Sequence, residues 1–100
     1  MESVYERALC YELRGLGYDV RNQVGIKMKY NNLAFEEGFR LDILVNDLVI
    51  VEIKSTEGLQ DVHFKQVLTY LKLADKRLGL LINFNAASLK KSIRRIVNNL

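Results

Sequence analysis

Two adjacent segments constrain this chain most: Arg40-Leu41-Asp42-Ile43-Leu44-Val45 and Val49-Ile50-Val51-Glu52-Ile53-Lys54, with Asn46-Asp47 between them. Both are rich in β-branched and apolar residues, and Asn-Asp is a turn signal, so they read as the strands of a hairpin. Side chains alternate faces along a strand, so pairing register decides which residues meet. An odd loop, most simply Asn46-Asp47-Leu48, sets Asp42 opposite Glu52, Arg40 opposite Lys54 and Leu44 opposite Ile50. One face then carries Arg40, Asp42, Leu44, Ile50, Glu52 and Lys54. The other carries Leu41, Ile43, Val45, Val49, Val51 and Ile53, all apolar. A two-residue turn would pair Asp42 with Val51 and part the acids, so the clean sorting favours the odd loop.

Directly opposed residues have Cβ atoms roughly 4.5–5.5 Å apart, and two carboxylates at that spacing repel. A hard cation, Mg²⁺ or Mn²⁺, relieves the repulsion while keeping water and substrate oxygens among its ligands. Such an ion can acidify a water and polarise a phosphoryl group, with Lys54 neutralising developing charge or positioning the attacking water. The alternative is a salt lattice in which Arg40 and Lys54 cancel Asp42 and Glu52, since ion-pair networks are common.

One hundred residues, 49% of them hydrophobic, make one domain over 1–100 with a small core. The start, Met1-Glu2-Ser3, lacks a basic region followed by an apolar run, and no apolar stretch approaches a membrane span. A lone Cys10 forbids an internal disulfide and fits a reducing cytoplasm. It falls in a helical pattern as a packing residue, and no motif links it to His63, the one histidine, as a nucleophile would require. A net charge of +3 permits a phosphate-backbone partner without demanding one.

Along the chain, residues 2–16 read as an amphipathic helix packing through Val4, Tyr5, Ala8, Leu9, Leu13 and Leu16, ended by Gly15 and Gly17. Strand-like Tyr18-Asp19-Val20 and Val24 to Tyr30 follow, with turns at Asn31-Asn32 and Glu36-Glu37-Gly38. After the hairpin, Thr56 to Gln60 form a loop and Asp61 caps a helix to about Lys76. Leu78 to Asn83 is a nearly all-apolar strand suited to burial on both faces, and Ser88 caps a last helix to about Asn98. The order is helix, three strands, helix, strand, helix: an α/β (α+β) chain whose mixed sheet has helices on both faces and a parallel strand after the long crossover.

On the second long helix, Gln66 and Tyr70 are four apart on one face, joined by His63 and Leu73. They form either a site-proximal pair or a polar seam between helix and sheet; His63 reads as a helix-face residue. On the last helix, Lys90, Lys91, Arg94 and Arg95 form two i,i+4 rows opposite Leu89, Ile93, Ile96 and Val97. They read as a phosphate-contacting ridge or as an ordinary charged outer face. Lys27 and Lys29 alternate on one strand face and would extend a basic surface.

The order of elements, with Asp then Glu-x-Lys on the central strands, resembles the PD-(D/E)xK nuclease superfamily. Glu2, Tyr5, Arg40-Leu41-Asp42, Glu52-Ile53-Lys54, Gln66 through Leu71 and Gly79-Leu80-Leu81-Ile82-Asn83-Phe84 together resemble the bacterial and archaeal GxxExxY protein family across essentially the whole chain. That family's name-giving glycine would lie three positions before Glu2, upstream of Met1, and Leu41 replaces the superfamily's proline. The resemblance implies a restriction-endonuclease-like core and a metal-dependent nuclease acting on DNA. It implies Asp42, Glu52 and the Ile53 carbonyl as ligands of Mg²⁺ or Mn²⁺, and Lys54 as the catalytic cation. It also implies a glutamate from the first helix, Glu6 or Glu2. The segment Glu6-Arg7-x-Leu9 to Gly17-Tyr18 is similar to the opening helix of archaeal Holliday junction resolvases, which favours Glu6. In nuclease relatives a pair like Gln66 and Tyr70 approaches the scissile phosphate. A non-catalytic nucleic-acid-binding or regulatory module is the alternative, against which stands the intact Asp42/Glu52/Lys54 set; a site completed by a partner or by a homodimer is a third reading. No exposed apolar stripe marks a dimer interface.

Overall fold

The computed structural model describes the backbone of residues 1–26, 28–30, 33–35, 38–85, 87 and 90–100, with side chains apart from those of 28–30, 33–35 and 90. Lys27, the turns at Asn31-Asn32 and Glu36-Glu37, the Ser88 cap, Leu89 and the side chains of Lys29 and Lys90 lie outside the described residues.

Helix α1 spans Glu2–Gly15 and packs through the side that carries Tyr5, Glu6, Leu9, Cys10 and Leu13. It ends as its glycines direct: Leu16 is the C-cap and Gly17 takes φ 94°, the left-handed conformation glycine adopts at no steric cost. Strand β1 (Val20–Gly25) is continuous where the sequence suggested a break, and β2 (Met28–Tyr30) pairs β3 (Leu33–Phe35) in a separate two-stranded sheet. The hairpin is β4 (Arg40–Val45) and β5 (Val49–Lys54), followed by α2 (Asp61–Ala74), β6 (Leu78–Asn85) and β7 (Lys90–Val97).

The main sheet has the order β1-β4-β5-β6-β7, parallel at β5–β6 and antiparallel elsewhere. Helix α1 covers Ile43, Val45, Val51, Ile53 and Ile82 on one face; α2 covers Leu44, Ile50 and Leu81 on the other through Val67, Tyr70 and Leu71. The mixed sheet between helices is the expected restriction-endonuclease-like architecture. Gly79 permits the close approach of α2, because a Cβ there would lie 2.8 Å from Val67 Cγ1.

Several expectations need correction. Val4 and Leu16, read as packing positions of α1, are exposed. The last segment is not a helix: β7 pairs the whole length of β6, from Leu78↔Val97 to Asn85↔Lys90. Ile93, Ile96 and Val97 fit a helical period, but they are β-branched, and β6 offers them an unpaired edge whose backbone groups must be satisfied. The helical rows of Lys90, Lys91, Arg94 and Arg95 therefore do not exist. Alternation puts Arg94 on the α2 face with Ile96, and Lys91 and Arg95 on the other. Next, Asp61 opens α2 as its first helical residue rather than capping it; Gln60 is the N-cap, with its N–H donated to His63 Nδ1 at 2.9 Å. Finally, Leu41 does not share a face with Ile43. Leu41 packs with Val24 in the α2 cluster, whereas Val20 and Ile43 belong to the α1 cluster. The exchange coincides with a break in the β1–β4 ladder between Asn22↔Ile43 and Val24↔Leu41, where Gln23 takes a φ of 52°.

Candidate active site

The loop of the hairpin is the odd one. Val45↔Val49, Leu44↔Ile50 and Ile43↔Val51 are paired, and Leu48 N–H donates to the Val45 carbonyl at 3.0 Å. Asn46 and Asp47 take φ 53° and 57°, conformations these residue types tolerate. The backbone pairing ends at Ile43↔Val51, and beyond it side chains take the place of the ladder between Asp42 and Glu52. Asp42 N–H donates to Glu52 Oε1 at 3.1 Å, and Ile53 N–H donates to Asp42 Oδ2 at 2.8 Å. The acids thus converge from neighbouring strands, each held in place by the other strand's main chain.

Glu52 is 3% exposed. Burial pushes its carboxyl up to about 9, and the negative charge of Asp42 adds to the shift; the Asp42 amide and, more weakly, the Lys54 ammonium oppose it. Both acids cannot stay ionised there without a further positive charge. The salt lattice does not supply it: the ion pairs among the described residues are Arg21–Asp47 at 2.9 Å and Lys76–Asp47 at 3.2 Å, both at the hairpin loop. Neither Arg40 nor Lys54 pairs with Asp42 or Glu52. A hard divalent cation fits such a donor set.

Tyr70 approaches from α2. Its phenol is raised by burial first and then by the charge of Glu52, with Asp42 contributing; a hydrogen bond from Gln66 Nε2 at 3.0 Å acts the other way. Phe39 packs against the Tyr70 ring with centroids 5.4 Å apart. The i,i+4 pair read from the sequence is therefore joined by its own hydrogen bond, with the Tyr70 phenol within electrostatic reach of the acids.

From the other face, Glu6 is buried and accepts a 2.8 Å hydrogen bond from Gln23 Nε2. Glu2 Oε2 accepts from Ser55 N–H at 3.3 Å. Among the described residues no three acidic, histidine or cysteine side chains form one metal cluster. Burial raises the Cys10 thiol, opposed by Arg14 and reinforced by Glu6, which suits packing rather than nucleophilic attack.

The basic residues of β7 are two strands removed from β5. Arg94 lines a cleft of about 330 Å³ with Glu57, Phe64, Asn83 and Ser92. A larger cleft of about 760 Å³, beside Arg7, Tyr11 and Asn22, contains neither Asp42 nor Glu52. Asn83, buried at 4% exposure on β6, was read from the sequence only as part of the 79–84 run. The signal was present, because an asparagine in a strand buried on both faces must find partners.

The family model of the PD-(D/E)XK nuclease superfamily matches residues 1–96. The chain belongs to the PD-(D/E)XK nuclease superfamily. No curated protein matches it in sequence. Its fold is similar to the crystal structure of SSO0001, with a TM-score of 0.73 at 19% identity, covering 98% of this chain and 50% of that one. It is also similar to an alkaline exonuclease, LHK-Exo, from Laribacter hongkongensis, with a TM-score of 0.64 at 18% identity, covering 97% of this chain and 55% of that one. LHK-Exo in complex with dAMP matches with the same TM-score and identity over 54% of its length. This PD-(D/E)XK chain thus spans about half the length of the solved structures it resembles. No helix among its described residues is long and apolar enough to cross a membrane.

Proposed function

We propose that this PD-(D/E)XK chain is a Mg²⁺- or Mn²⁺-dependent nuclease that hydrolyses DNA phosphodiester bonds at Asp42, Glu52 and Lys54. The observation that carries this reading is a pair of converging carboxylates, Glu52 buried and Asp42 half-buried, that no ion pair among the described residues joins to a cation. Structural ion pairs are retained with their counter-charges; a pair left without them takes up either a proton or an ion. Asp42 and Glu52 would hold the ion. The N–H of Ile53 points at β4, and an extended residue's N–H and C=O share one strand edge, so its carbonyl is the third candidate ligand. A bound divalent ion supplies Lewis acidity and a more acidic water.

The chain's own groups do the rest. The Lys54 ammonium neutralises charge developing on the phosphoryl oxygens. Tyr70, kept protonated, donates rather than accepts a proton. Gln66 gives its nitrogen to Tyr70 and keeps its amide oxygen for water or substrate. Glu6, held by Gln23 of β1, is the α1 acid proposed for the site. Lys90, Lys91, Arg94 and Arg95 would contact phosphates along β7, from both faces of the strand. The likeness of LHK-Exo, solved with dAMP, supports a nucleic-acid substrate. Glu2, Tyr5 and the 79–84 run support the narrower GxxExxY reading.

Calorimetric titration of Mg²⁺ or Mn²⁺ into the wild type and D42N, with cleavage assays on plasmid, linear and branched DNA, tests this. Wild-type binding and cleavage, both lost in D42N, are expected. Cleavage surviving D42N removes the assignment, and no binding at millimolar metal favours the non-catalytic module.

A further inference from the structure

The Gly79–Phe84 run contains one residue whose packing does not account for it. Gly79 admits α2, and Phe84 stacks on Tyr5 with ring centroids 4.4 Å apart. Asn83 is held instead through its polar atoms. Its Oδ1 accepts from Thr56 N–H at 2.9 Å, and its Nδ2 donates to the Thr56 carbonyl at 3.0 Å. A buried carboxamide that spends both ends on one residue's main chain imitates a neighbouring strand. The β5–β6 ladder ends at Lys54↔Asn83, and this side chain carries it two residues further.

The same segment is held elsewhere as well. Ser55 N–H is taken by Glu2 of α1, and Asn85 Nδ2 donates to the Glu57 carbonyl at 3.0 Å. The main chain leaving Lys54 is therefore tied at each of the next three residues. Exposed loops ordinarily leave such groups to water. Lys54 carries its ammonium on a flexible four-carbon stem, so its aim depends on the backbone from which it springs.

We propose that Asn83 is a positioning residue for Lys54: its carboxamide clamps Thr56 and so fixes the direction from which the ammonium enters the site. The inference rests on the nuclease reading above. Its test is a double-mutant cycle in the full chain, with N83A, K54A and the double variant assayed on plasmid DNA with Mg²⁺, and metal binding followed by calorimetry. N83A is expected to lower kcat about tenfold or more, the scale on which small misplacements act. KM and the Mg²⁺ Kd should stay within about twofold. In the K54A background the same substitution should change nothing further. N83D retains the Thr56 N–H bond and gives an intermediate loss, which keeps the assay readable if N83A does not fold.

Equal losses in both backgrounds, weakened metal binding or an unchanged kcat would overturn the positioning role while the nuclease reading stands. A wild type that binds metal and cuts no DNA removes both.

Discussion

Glu52 sits almost wholly buried beside Asp42, and its carboxyl is raised from the usual 4.5 to about 9. In the unfolded chain the same group ionises near its ordinary value, so between those limits the folded, metal-free protein holds the extra proton. Stability contributed by that proton is complete at low pH and declines as pH rises through the window, with a slope approaching about 1.4 kcal/mol per unit. Thermal unfolding of metal-free protein from pH 5 to 9 should show this fall, and saturating Mg²⁺ should reverse it. E52Q should flatten the dependence and melt higher than the wild type at alkaline pH while losing cleavage by at least about hundredfold; a steeper or unchanged dependence would contradict the account. Tyr70→Phe keeps the ring against Phe39 and removes the hydroxyl beside the acids. Its melting temperature should change little while kcat falls about tenfold, measured on the same DNA substrates.

At the scale of elements, Gly79→Ala forces a methyl to within 2.8 Å of Val67 Cγ1. The overpacking should cost about 1–3 kcal/mol, read by urea denaturation, and V67A in the same chain should recover part of it. The legibility of each element followed its pattern. The hairpin was readable because charges in apolar strands are costly and alternation fixes which of them meet, so Asp42, Glu52 and the odd loop came from residues alone. The place of α2 and the Gln66–Tyr70 pair followed from helical spacing. β7 was not readable, since Ile93, Ile96 and Val97 satisfy a helical period, and what decides is the open edge of β6, a tertiary fact. The face exchange at Leu41 accompanies the left-handed backbone of Gln23 on the neighbouring strand, for which the sequence carries no local signal. Asn83 was visible as a polar residue in an apolar run, but its partner, Thr56, lies 27 positions away.

Across the whole molecule, the N-terminus of α1 is joined to the far ends of β5 and β6. Tyr5 stacks on Phe84 at an interplanar angle of 3°, and Glu2 reaches Ser55. Tyr5→Ala should cost about 3 kcal/mol or more, as truncation of a packed aromatic does, and lower the melting temperature by more than 10 °C, at about 4–8 °C per kcal/mol for a domain of this size. If α1 is held there chiefly by this ring, amide exchange along Glu2–Gly15 should accelerate more than exchange in β4 and β5. Uniform acceleration would instead mean that the helix and sheet open as one unit.

The hairpin has a kinetic consequence. Asp42 and Glu52 are only ten positions apart, so they can meet on the microsecond timescale of hairpin closure, before the crossover through α2 brings β6 alongside. The clamp at Thr56 must wait for that crossover, whose loop-closure entropy makes it late. Chevron analysis should therefore find N83A accelerating unfolding with little effect on the folding limb, and substitutions at Val45 or Val49 slowing folding. The nascent chain would bring its two acids together first and tether Thr56 last.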